Sequence, residues 1–294
     1  MVHLTSKMRL FFGFFSILPL LIGACAANLV NPYPSQAPDS SLRVSDVIEL
    51  KRANRIRWSR RDQRESLTAF LASQRAIVNS TARRESDFVL MSRAEYLLAE
   101  YFSAEENEKL RHFGEAAHWA EMALLENPDY RKSLNKADPL TGISLLRRKN
   151  AEALFWHAIG LSRWAEQSGV GTALRYRNRI ERMMARVNEL RPNYYFAGVH
   201  RFFGIQFATQ PGWNEDDLAL SKKHFEQALR AAPDFFGNHV SFAAIYGKKI
   251  ENAGLTKKHL EVAARGEPGS LPGFRPEQIL EQRRARKLLE GVAP

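Results

Sequence analysis

The sequence predicts an all-α protein of about eleven or twelve helices, paired into hairpins and stacked into a compact superhelix. Three observations carry this. Apolar residues recur at helical spacing through most of the chain, alternating strand-like runs are scarce, and the breaks carry Pro, Gly or Asp-Pro, as in ADPLTG (137–142) and QPGWNEDD (210–217). In DQRESLTAFLASQRAIVN (62–79) the stripe is Leu67, Phe70, Leu71, Ile77 and Val78. Similar stripes recur over 86–126, 150–190, 194–208, 215–231 and 235–266.

The N-terminal segment stands apart. Lys7 and Arg9 precede LFFGFFSILPLLI (Leu10–Ile22), an uncharged run of 13 residues. That length suits a secretion signal and falls short of the about 20 residues of a membrane span. IGAC follows, and this resembles the lipobox of bacterial lipoproteins. Residues 1–24 are therefore expected to be a signal peptide and Cys25 to be acylated. Cys25 is the sole cysteine, so the chain can form no internal disulfide and no other thiol is left for metal ligation or catalysis. Ala26, rather than Asp, follows the Cys, and by the same resemblance this favours the periplasmic side of the outer membrane. The stretch 26–41, AANLVNPYPSQAPDSS, is rich in Pro, Ser, Ala and Asn and reads as a tether reaching roughly 20 Å.

Residues 42–290 form the expected helical domain. The whole chain carries +11, and +9 without Lys7 and Arg9. An exported protein rarely meets nucleic acid, so anionic headgroups, an acidic partner or an anionic solute are the expected counterparts. The densest basic run, LKRANRIRWSRRDQR (50–64), lies near the tether, placed to lean on a membrane surface.

A repeat underlies the periodicity. Stepping back from Pro233, Ala228, Phe225 and Ser221 lie at one spacing, preceded by Phe203, Gly204 and Phe207. From Pro128, Ala123 and Ala116 fit, with Leu98, Ala99 and Phe102 before them. From Pro192 come Trp156, Ile159 and Gly160, and from Pro268, Ala263, Leu260 and Ala244. These positions resemble the tetratricopeptide (TPR) repeat, a helix pair with a closing Pro. Small residues such as Gly160 and Gly204 let the helices of a pair approach, while Trp156, Phe203 and Phe225 fill grooves between pairs. Tyr194, Tyr195, Phe235 and Phe236 fall at the joints, where one pair hands over to the next.

ALFWHAIGLSRWAE (153–166), RPNYYFAGVHRFFG (191–204) and LALSKKHFEQALRAAPDFFGNHVSFAAIYGKK (218–249) together resemble the TatT family, TPR-containing lipoproteins that are the T component of TRAP transporters. The resemblance covers roughly 86–290. It implies an all-α periplasmic lipoprotein forming a homotrimer with a pore through each subunit. It also implies a partner, the periplasmic substrate-binding protein of a TRAP system, and as solute a small organic acid or other apolar-anionic compound.

By resemblance to other TPR arrays, the residues facing the concave surface are Arg93, Tyr96 and Glu100 of the first pair, His157, Leu161 and Trp164 of the second, Arg201 and Ile205 of the third, and Asn238, Ser241 and Lys248 of the fourth. Arg can hold a carboxylate through two parallel hydrogen bonds, and aromatic rings can wall its apolar part. Against that stands a plain structural role, in which Arg201 and Glu100 pair with neighbours and Trp164 is core. Catalysis is not expected. No two of the eight His stand three or four apart, so no helical metal site is expected; SGVGTAL (168–174) lacks the Lys-Ser/Thr of a phosphate loop; and there is no Gly-x-Ser-x-Gly elbow. No cofactor is implied. The expected function is thus an accessory component of TRAP-type uptake. The alternative is an adaptor lipoprotein that scaffolds other envelope proteins in outer-membrane assembly or cell-wall maintenance.

Overall fold

The computed structural model describes residues 42–135 and 139–291. The leader, Cys25 and the whole tether lie outside them. The described residues form thirteen α-helices and no strand. They are α1 (Val44–Ser59), α2 (Arg64–Asn79), α3 (Glu85–Tyr101), α4 (Glu106–Leu125), α5 (Pro128–Asn135), α6 (Pro139–Leu145), α7 (Ala151–Gln167), α8 (Val170–Leu190), α9 (Tyr194–Thr209), α10 (Glu215–Ala231), α11 (Phe236–Ser241), α12 (Ala253–Arg265) and α13 (Arg275–Leu289). A π-helical segment, Phe242–Gly247, continues α11. The count exceeds the sequence expectation because the segment between Pro128 and Leu145 carries two short helices, α5 and α6, too brief to show periodicity.

Local chemistry sets the boundaries. In the QPGWNEDD turn, Asn214 Oδ1 accepts from Asp217 N at 2.9 Å and Asp217 Oδ2 from Asn214 N at 3.0 Å, a reciprocal cap that starts α10. Asn252 Oδ1 accepts from Leu255 N at 2.8 Å and starts α12. The α2 stripe read from sequence is fully internal: Leu67, Phe70, Leu71, Ile77 and Val78 are all buried.

Helices pack in sequence order, α1 on α2, α3 on α4, α7 on α8, α9 on α10, and α11 with its π segment on α12, and neighbouring pairs pack in turn. The last helix then comes back to the first three. Arg61, just past α1, binds Glu277 of α13; Tyr101 of α3 donates to Glu281 at 2.7 Å; Arg284 reaches Glu100 at 3.3 Å; and Arg283 Nη1 donates to the carbonyl of Asp62 at 2.7 Å. The pairs therefore curl into a closed ring, with α13 as the clasp. Part of the basic 50–64 run is drawn into the fold, since Arg61 is 2% exposed in the clasp and Lys51 pairs with Asp87 of α3 at 2.6 Å. Arg52, Arg55 and Arg60 remain exposed.

Gly160 plays a different part from the one its repeat position implied. Its missing Cβ faces the α4 backbone, where a Cβ would lie 2.8 Å from Ala117 N and 3.1 Å from Ala117 Cα. It therefore lets α7 close on the preceding pair, not on its own partner α8. Gly204 does serve its own pair, facing the Phe225 ring of α10, and Ser221 Oγ donates to the Gly204 carbonyl at 2.7 Å. Because backbone cannot swing aside as a side chain can, Gly160→Ala is expected to destabilise the fold by about 1–3 kcal/mol, read as a lower midpoint of denaturant unfolding. An unchanged midpoint would mean that α4 and α7 are free to separate.

Candidate functional site

Inside the ring lies a cavity of about 230 Å³, walled by α3, α7, α8, α9 and α13 together with Phe235, Ser241 and Ile245. Its deep wall is aromatic, with Tyr96, Trp156 and Tyr195, and Thr209, Pro211 and Glu166 lie at the exposed end. Ser241 and Ile245 reach the cavity from the α11–π junction. Such a π segment breaks the regular turn and is frequent at functional sites.

Four arginines and three glutamates line this space. Glu100 is held from both sides, by Arg163 at 3.1 Å and by Arg284 at 3.3 Å. Burial alone would push its carboxyl up, but Arg163 and Arg284 outweigh that and hold it below the usual range. Arg163 also pairs with Glu166 at 2.8 Å and covers the Phe113 ring. Two cations remain over. Among the described residues Arg177 has no ion pair, and neither does Arg201, whose donors go to neutral acceptors. Arg201 Nη1 donates to Asn238 Oδ1 at 2.6 Å, and its guanidinium lies 5.0 Å from the Phe235 ring. Burial raises the Tyr96 and Tyr195 hydroxyls well above their ordinary pKa, so neither adds negative charge.

The wall at Tyr195 rests on an unusual backbone. Tyr195 (φ 49°, ψ 54°), Phe196 (φ 58°, ψ 51°) and Ala197 (φ 57°, ψ 38°) form a left-handed turn at the head of α9. Each such residue costs roughly 1–2 kcal/mol. Rings and carbonyl acceptors hold the turn. Tyr195 lies 4.9 Å from Trp156, and Phe196 stacks on Phe235 at 4.5 Å and edge-on to Phe274 at 4.7 Å. Asn238 Nδ2 donates to the Phe196 carbonyl at 3.2 Å. The joint residues of the sequence thus turn into cavity wall: Trp156, Tyr195 and Phe235 line it, while Tyr194 packs edge-on to Phe155 and Phe236 joins the α11–α12–α13 core.

Of the eleven residues expected on the concave face, Tyr96, Glu100, Arg201, Ile205 and Ser241 line the cavity. The other six do not. Arg93 is clamped behind the wall, 3.4 Å from Glu277 and 5.1–5.8 Å from the rings of Trp58, Trp156, Tyr195 and Phe274. His157 and Leu161 are buried because α4 and α8 cover the far side of α7; His157 Nδ1 bonds the Ala117 carbonyl at 2.9 Å. Trp164 packs on Tyr176 and beside Gly114. Asn238 backs Arg201 from within the core, and Lys248 is exposed at the end of the π segment. Sequence reasoning missed Arg163 of α7, Arg177 of α8 and Arg284 of α13, the last of which reaches the cavity through ring closure.

The family model of the TRAP transporter T-component matches residues 89–293, most of the chain. The chain belongs to this family. The T-component is an accessory part of a TRAP transporter and not an enzyme class. Among curated proteins, none matches the chain. The match begins within α3, so α1 and α2 of this T-component precede it. Among the described residues, no helix is long and apolar enough to cross a membrane.

Proposed function

We propose that this T-component holds a small apolar-anionic solute in its internal cavity and presents it to the periplasmic substrate-binding protein of a TRAP system. In this reading the acylated Cys25 anchors the chain at the periplasmic side of the outer membrane. The observation that carries the proposal is Arg201, a cation without a carboxylate partner, set on an aromatic wall inside a partly open cavity. A carboxylate there gains charge-assisted hydrogen bonds, while its apolar remainder meets Trp156 and Tyr195. At about 230 Å³ the cavity is below the ~300–1,000 Å³ of sites for drug-sized ligands, which selects small acids.

Titration calorimetry with phenylacetate and hexanoate tests this. Loss of a charge-assisted hydrogen bond is worth about 1.5–3 kcal/mol, so Arg201→Ala is expected to weaken binding roughly 10- to 150-fold. Equal affinity in a variant that keeps its helical content would remove Arg201 from the site and with it the proposal.

A further inference from the structure

In each of two successive hairpins, outside the cavity, a histidine pair joins the two helices. His239 of α11 and His259 of α12 face each other through their Nδ1 atoms at 2.9 Å, and His200 of α9 faces His224 of α10 in the same way at 3.1 Å. We propose that the His239–His259 pair is a binding site for a divalent transition-metal ion of the copper or nickel class, with the His200–His224 pair as a weaker second station.

The argument is geometric. His239 Nε2–H donates to the Pro233 carbonyl at 2.8 Å. A neutral imidazole has one N–H, so His239 Nδ1 carries a lone pair, and that lone pair points at His259. A backbone carbonyl on the far nitrogen is also the usual support of a metal-bound imidazole, fixing tautomer and ring orientation. With metal–nitrogen bonds of about 2.0–2.1 Å, two ligands at a right angle sit roughly 2.9 Å apart and tetrahedral ones roughly 3.4 Å. The 2.9 Å contact is an N–H···N hydrogen bond from His259 to His239; once His259 shifts its proton and the rings tilt so that both lone pairs converge on one point, that spacing suits the right-angled ligands of tetragonal Cu(II) and Ni(II). The Phe242 ring, edge-on to His259 at 4.9 Å, holds the second imidazole in place.

The protonation states agree with this. Burial and then the opposing His239 push His259 down to about 4, and burial lowers His239 as well, so both rings are neutral at pH 7. On metal binding His259 moves its proton from Nδ1 to Nε2, and neither ring needs to lose one. Asp234 lies near enough to His239 to favour a cation, and Lys258 beside His259 opposes it. Among the described residues no group of three His, Cys, Asp or Glu converges, so the remaining positions on the metal fall to water. Both rings are half-buried, which leaves that side open. The second pair lacks a carbonyl anchor on either ring, hence its lower rank.

The test is a Cu²⁺ titration of the full chain, followed by calorimetry and by electron paramagnetic resonance, which reads coordinated imidazole nitrogens. The expected result is one tighter ion bearing two imidazoles. His259→Gln should weaken it by at least about 10- to 100-fold, and His224→Gln should affect only the weaker class. An unchanged affinity and spectrum in His259→Gln would overturn the proposal, as would a wild-type chain without a two-imidazole signal. Should His259→Gln fail to fold, Cu²⁺ protection of His259 from diethylpyrocarbonate in the wild type decides. Equal modification with and without the metal also overturns it.

Discussion

Replacing Glu277 with Ala is expected to lower the stability of the chain by about 3–5 kcal/mol, a larger loss than any surface charge change would bring. Glu277 holds Arg61 through two bonds, Nε to Oε1 at 2.9 Å and Nη2 to Oε2 at 2.5 Å, with the two side chains 3% and 2% exposed. Four of the five Arg61 N–H donors are engaged, for Nη1 also goes to the Trp58 carbonyl and Nη2 to that of Gly273, each at 2.7 Å. Removing the carboxylate leaves this guanidinium buried and uncompensated. It also strips Arg93 of its nearest counter-charge, since the other, Glu152, lies 3.9 Å away. One substitution thus strands Arg61 and leaves Arg93 with only its longer pair to Glu152. Chemical denaturation with helical content as the signal measures the loss. The double variant Arg61→Met/Glu277→Leu provides the complementary test. A buried pair exchanged as a unit for apolar groups often costs little, so it should recover most of the loss. A single variant as stable as the wild type would show that α13 closes the ring without its ion pairs.

This clasp marks where the sequence stops being legible. Helix class, the stripe of α2 and the small residues at Gly160 and Gly204 follow from local spacing, because they depend on neighbours within one hairpin or the next. Tyr96, Glu100, Arg201, Ile205 and Ser241 are reachable by repeat register for the same reason. Arg61–Glu277 spans 216 residues, and nothing near Arg61 announces its partner; the same run reads as a free basic surface. His157 and Leu161 mislead in the opposite direction. The register assigns them to an open face, but α7 is covered by α4 on one side and α8 on the other, so the face is core. The histidine pairs illustrate a third limit. Intervals of three or four residues find ligands on one helix, whereas His239 and His259 meet across a hairpin, 20 residues apart. The left-handed turn at Tyr195–Ala197 has no sequence signature, for none of its three residues is Gly.

That turn underlies the second large expected effect. Asn238→Ala should destabilise the fold by about 3 kcal/mol and weaken solute binding at the same time. Asn238 is fully buried and uses its whole amide. Nδ2 donates to the carbonyls of Phe196, Ala228 and Ala232 at 3.0–3.2 Å, and Oδ1 accepts from Arg201 at 2.6 Å. Alanine leaves those carbonyls short of a donor and Arg201 short of an acceptor, in a largely buried setting. The left-handed residues are uphill without outside support, and Asn238 and Arg201 together hold the Phe196 carbonyl. Releasing it lets the turn relax and carries Tyr195 off the cavity wall. Asn238→Asp separates the two consequences. It keeps an acceptor for Arg201 but places a carboxylate beside it, so the guanidinium becomes paired and, among the described residues, only Arg177 is left as an unpaired cation in the cavity. Calorimetry with phenylacetate should then show weakened binding in both variants. Intact binding in Asn238→Asp would mean that the solute carboxylate does not depend on an unpaired Arg201.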